Sequence, residues 1–122
     1  LLGKAGGAKG LNGALGLLYL KKGEYNKAVE AFGDLKSNNA ALAQLLVKDY
    51  NKASQTLAAI PNPDATTAYL AAIVAARTNN VKDVITHLQT AILRDKAMAK
   101  KAANDLEFAK YRSNNDFVSL VR

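Results

Sequence analysis

The side chains able to do chemistry in this 122-residue chain are few and scattered. There is one histidine, His87, beside Leu88, and no cysteine. A general base needs a partner within hydrogen-bond reach, and the sequence marks none for His87. A metal site built on one histidine needs several carboxylates beside it, but the ten acids are spread along the chain. No pair of them suggests glycosidase-type chemistry. The run Gly3-Lys4-Ala5-Gly6-Gly7-Ala8-Lys9-Gly10 has the composition of a phosphate loop. It lacks the G-x-x-x-x-G-K-[ST] spacing and a preceding strand. These residues predict no catalytic group, no metal and no cofactor. His87 is expected sideways or outward on a helix.

Charge points the same way. Of the net +7, residues 1–22 contribute four lysines and no acid, residues 23–93 six groups of each sign, and residues 94–122 seven basic groups against four acidic. A nucleic-acid binder would carry a basic stripe along its body with aromatic residues interleaved. A neutral body with basic ends predicts a solvated surface or an acidic protein partner, and no nucleic acid. No apolar run approaches the roughly 20 residues of a membrane span. Absence of cysteine excludes a disulfide framework and leaves the compartment open. The chain starts at Leu1 and not at Met, so it reads as processed or as a piece of a longer protein. Leu11 to Leu20 is too short and glycine-rich for a signal peptide.

The elements that would position any site are helices. Alanine occurs 23 times and proline twice, at Pro61 and Pro63, a composition that favours helix. One phrase recurs three times: a turn, a small or β-branched residue, then a large apolar residue four positions later. The pairs are Ala28 and Phe32, Ala53 and Leu57, Val84 and Leu88. Each unit cannot bury its apolar face alone, so neighbours must stack, which predicts a solenoid of helical hairpins. Leu11, Leu15, Leu18 and Tyr19 recur at helical spacing in a first helix that ends near Gly23. Helices are then expected from Glu24-Tyr25, over Ala40–Val47, Tyr50–Ile60, Asp64–Arg77, Val81–Leu93 and Ala97–Arg112, the last with a bend near Asn104-Asp105. A final turn or two is centred on Phe117 and Leu120 and should cap the array. Asn62 is expected to cap the helix that Pro63 begins. The Asn pairs 38–39, 79–80 and 114–115 read as helix-end punctuation. Gly16 and Ala28 should let two helices approach closely, with Tyr19, Tyr25 and Phe32 filling the space beside them.

Gly16, Tyr19, Gly23, Tyr25, Ala28 and Phe32, with Leu15, resemble the tetratricopeptide repeat (TPR) signature at its internal spacing. Ala68, Ala71, Ala72, Ala75, Val84, Leu88 and Ala91 resemble it more loosely. The middle unit is shorter: Ala28 to Ala53 is 25 residues, against 34 in the family, and the loss must fall in its first helix. The resemblance implies an all-α fold, a right-handed α-α superhelix of about three TPR-like hairpins followed by capping helices. The single domain 1–122 would comprise a frayed start at 1–8, repeats at 9–36, 39–60 and 63–94, and a cap at 97–122. It implies a non-enzymatic protein-interaction or assembly scaffold within a larger bacterial protein. The alternatives are a self-association module, or a helper domain positioning a separate envelope or enzyme domain. Similar arrays with such a tail occur in bacterial cell-envelope proteins, so a periplasmic or outer-membrane-associated setting is favoured over the cytoplasm. In this family the first helices of successive pairs line a concave groove. The matching candidates are Leu17, Leu20 and Lys21 in the first unit and Tyr69, Ile73 and Arg77 in the third, an apolar groove with a basic rim suited to a protein or peptide partner with an acidic or C-terminal group.

Overall fold

The computed structural model describes residues 5–122, with side chains from Leu11 onward. Part of the frayed start expected at 1–8 therefore lies outside the described residues; from Ala5 the backbone is helical. Among the described residues there are helices and turns and no strand, and no helix is long and apolar enough to cross a membrane. The chain divides into two compact units, Leu1–Pro61 and Asn62–Arg122. The first contains α1 (Ala5–Lys22), α2 (Tyr25–Phe32), α3 (Asn38–Leu46) and α4 (Tyr50–Ala59). The second contains α5 (Ala65–Arg77), α6 (Val81–Arg94), α7 (Ala97–Ala103), a 3₁₀ segment (Leu106–Tyr111) and α8 (Asn115–Val121).

The recurring phrase of the sequence is one recurring turn. Gly23, Lys48 and Asn79 all adopt left-handed backbone, with φ of 79°, 69° and 61°. At each, the amide of the next residue donates back to the carbonyl five positions earlier: Glu24 to Tyr19, Asp49 to Gln44 and Asn80 to Ala75, all at 2.9 Å. The turn residue itself donates to Leu20, Leu45 or Ala76. This pair of bonds closes a helix by satisfying its last carbonyls. The next residue then opens a new helix in each case. The side chains of Asp49 and Asn80 accept from the amides of Lys52 and Asp83, whereas Glu24 makes no such bond. The small residues that follow, Ala28, Ala53 and Val84, are fully buried, and Phe32, Leu57 and Leu88 are buried beside them. Three hairpins, α1–α2, α3–α4 and α5–α6, result. The shortening falls on α3, which has 9 residues against 18 in α1.

In the first unit, α3 packs on both α1 and α2. Ala28 and Phe32 meet Ala40 and Ala43, with Tyr19, Leu20, Val29 and Leu35 at the margin. Gly16 lies hard against the Phe32 ring. Tyr25 departs from the expected packing: at the first position of α2 it is 38% exposed.

In the second unit, α5 and α6 pair, the 3₁₀ segment lies on α5, and α7 and α8 close over α6. Met98, Ala102, Phe108 and Phe117 join Tyr69, Val84, Leu88 and Ala91 in one core. The rings of Phe108 and Phe117 are 6.0 Å apart, so the last helix is a packed cap. Two boundaries differ from expectation. Asp64, and not Asn62, caps α5, because Asp64 and Thr67 form a reciprocal capping box that satisfies two amides at once; Pro63 stays outside the helix. The stretch 97–112 is two elements. Asn104 donates to the Lys100 carbonyl, and Asp105, in extended backbone, accepts from the Glu107 amide. Short polar side chains that bond their own backbone in this way end one helix and start another. The Asn pairs also divide: Asn79 closes a helix, Asn80 and Asn114 cap new ones, and at 38–39 the cap is Ser37.

Candidate interaction surface

Tyr69, Ile73 and Arg77 share one face of α5, as their four-residue spacing requires. That face is covered by the chain itself. Tyr69 is 3% exposed and meets Phe108 edge-on, with centroids 5.6 Å apart. Its hydroxyl donates to Asp105 Oδ2 at 2.6 Å, while Asp105 Oδ1 accepts from the Glu107 amide. Arg77 grips Glu107 with two parallel bonds, Nε to Oε1 at 3.0 Å and Nη2 to Oε2 at 2.6 Å, the fork geometry that makes such pairs directional. Ile73 packs against the core margin, and the Lys101 ammonium sits 4.9 Å from the Tyr69 ring centre. Burial, then the Asp105 hydrogen bond, then the charges of Asp105 and Glu107, push the Tyr69 phenol well above its ordinary range. Tyr69 therefore stays a donor. These residues form a clasp that holds the 3₁₀ segment to α5, so the open groove expected over them is instead occupied by residues 105–108.

The sequence reading missed Asp105 and Glu107 as partners. In a continuous α-helix residues two apart point to opposite sides, which hides their common target. The signal was the D-x-E spacing itself: both acids reach α5 because the helix stops at Ala103 and a 3₁₀ turn begins at Leu106.

The first unit presents the reverse situation. Leu20 belongs to the margin of the α2–α3 core, Leu17 is half-buried and Lys21 is exposed. Gly13 and Gly16 face Leu35 and Phe32. The opposite side of α1 carries Leu11, Leu15 and Leu18, which are 55%, 44% and 47% exposed. At 3.6 residues per turn these three fall within about 40° of a single line. Leu15 and Leu18, which recur at helical spacing with Leu11 and Tyr19, thus form an outward apolar column, whereas Tyr19 joins the core margin. The reason is the glycine face: the close approach of α2 requires Gly16, and Gly16 fixes which side of α1 turns inward.

The chain matches no protein-family model, no curated protein and no solved structure. His87 is half-buried on α6, and among the described residues no three His, Asp or Glu side chains converge as metal ligands would. The arrangement with an evident physical use is the leucine column, which is suited to packing against another helix.

Proposed function

We propose that this chain is a non-enzymatic protein-interaction or assembly scaffold: a TPR-like array of helical hairpins stacked in the right-handed superhelix that the resemblance implies, acting as part of a larger bacterial protein. One observation carries the reading. The first hairpin leaves a column of three leucines open, whereas the third is closed by its own tail. A long apolar row on a folded surface marks a contact site more often than an isolated apolar residue does. The turn, used three times, and the buried Ala/Val and Phe/Leu pairs give a rigid frame on which to present it, which is the usual work of a repeat protein. The partner is a protein or peptide, and the lysines at 21 and 22 make an acidic one the better fit.

The test is affinity capture on the immobilised chain, comparing wild type with the double variant Leu15→Glu/Leu18→Glu. Retention of a defined protein by wild type and its loss in the variant supports the reading. A retained set that is the same for both, or no retained protein at all, counts against it.

A further inference from the structure

We infer that the Leu11–Leu15–Leu18 column docks the second helix of another helical hairpin, one that presents a small residue and a large apolar residue four positions later and carries net acidic charge. This rests on the scaffold reading and adds what the partner must look like.

The chain itself shows what covers such a column. Counting back from the shared turn, Leu15 and Leu18 precede Gly23 by eight and five residues, and Ala40 and Ala43 precede Lys48 by the same intervals. Ala40 and Ala43 are fully buried, and they cluster with Ala28 and Phe32 of α2. The column on the first helix of the second hairpin is therefore covered by the small–large face of a preceding second helix. In the third hairpin the residues at the same intervals, Ala71 and Val74, are half-buried and buried. Only in the first hairpin are both positions exposed, and there they carry leucines in place of smaller residues. Larger side chains fill more space, so the covering helix stands further off or offers small residues opposite.

A second copy of this chain does not supply that helix. Ala28 and Phe32 are already taken by α3, Ala53 and Leu57 are buried, and Val84 and Leu88 are fully buried within their own unit. A bilayer fits poorly too. The spacing of four and then three residues makes a narrow seam, the pattern of helix-on-helix packing, and not the broad apolar face of an interfacial helix. Charge gives the sign of the partner. Lys22 continues the column one turn beyond Leu18, and Lys21 flanks it. Neither takes part in the ion pairs Lys27–Glu24 and Arg77–Glu107. Residues 1–22 contain four lysines and no acid.

The probe is a fluorescein-labelled peptide with the sequence of residues 24–36, held helical by a hydrocarbon staple on the side away from Ala28 and Phe32 and titrated with the full chain, alongside a version carrying Lys27→Glu and Lys36→Glu. The expected result is saturable binding, tighter for the acidic version. Leu15→Glu/Leu18→Glu should weaken both by roughly tenfold or more. Lys21→Glu/Lys22→Glu should abolish the preference for the acidic version while the peptide still binds. Melting curves confirm that both variants are folded. Absence of saturable binding, or binding unchanged by the leucine variant, overturns the proposal. So does a concentration-dependent dimer dispersed by that variant, which would make a second copy the occupant. Leucine-dependent binding to phosphatidylserine vesicles without peptide binding would assign the face to lipid and overturn it equally. If affinity capture retains a partner that Leu15→Glu/Leu18→Glu loses while the peptide fails, the scaffold reading stands and the identity of the docked helix alone falls.

Discussion

At Gly16 an added Cβ would stand 2.5 Å from the Phe32 ring, and that ring is enclosed on its other sides. Alanine is the better helix former by about 0.5–1 kcal/mol, but overpacking a fixed ring costs about 1–3 kcal/mol. Gly16→Ala should therefore lower the melting temperature. At Gly13 the nearest atom to an added Cβ is Leu35 Cδ2 at 3.5 Å, ordinary contact. Gly13→Ala should raise stability by the propensity gain alone, about 0.5–1 kcal/mol. The two substitutions are three residues apart on one helix and should have opposite signs; equal effects would contradict the placement of the α1–α2 seam. Tyr69 carries a pH signature. Its phenol titrates higher when folded than its ordinary value of 10.0, so its contribution is present in full below pH 10 and is lost as pH rises beyond that. Stability of the wild type should fall more steeply above pH 10 than that of Tyr69→Phe. At neutral pH the variant should be weaker by about 1.5–3 kcal/mol, through loss of a hydrogen bond to a charged group. Parallel profiles in alkaline denaturation would remove Tyr69 from the clasp.

The helical hairpin was the most legible element, because its parts are local. A turn residue, a small residue and a large apolar residue at fixed spacing define it, and in all three hairpins those residues sit where the spacing places them. Its turn yields a prediction that the sequence alone does not. Lys48 holds a left-handed φ of 69°, a conformation that costs a side-chain-bearing residue about 1–2 kcal/mol. Lys48→Gly relieves this and loses part of it to the freer unfolded chain, so a net gain of about 0.5–1 kcal/mol is expected in chemical denaturation. Gly23→Ala, at the equivalent position, should destabilise. The clasp was illegible because it joins residues about 30 apart in sequence, and because Asp105 and Glu107 look opposed until the helix is broken at Asn104. The outward direction of Leu15 and Leu18 was illegible for another reason. Helical spacing identifies a stripe but not which of two stripes turns inward, and α1 is apolar on both sides. Gly16 decides it, through a contact with Phe32 that only the folded hairpin shows.

For the molecule as a whole, the asymmetry is between a hairpin closed by its own chain and one left open. Phe117 is almost fully buried against Phe108, and α8 packs on α6 and α7. Deleting residues 114–122 should strip this cover, destabilise the second unit by about 3–5 kcal/mol for the lost aromatic alone, and promote aggregation; unchanged melting and solubility would show that α8 is not a cap. The leucine column of α1 is the uncovered counterpart, and its use as a helix-docking face is the central claim. Leucine-methyl NMR tests it most directly, with the full chain titrated by the acidic version of the 24–36 peptide. The methyl signals of Leu11, Leu15 and Leu18 should move together and saturate, while those of Leu57 and Leu88, buried in the interior, stay in place. Shifts centred on any other leucines, with the three α1 signals unmoved at saturating peptide, would contradict the claim.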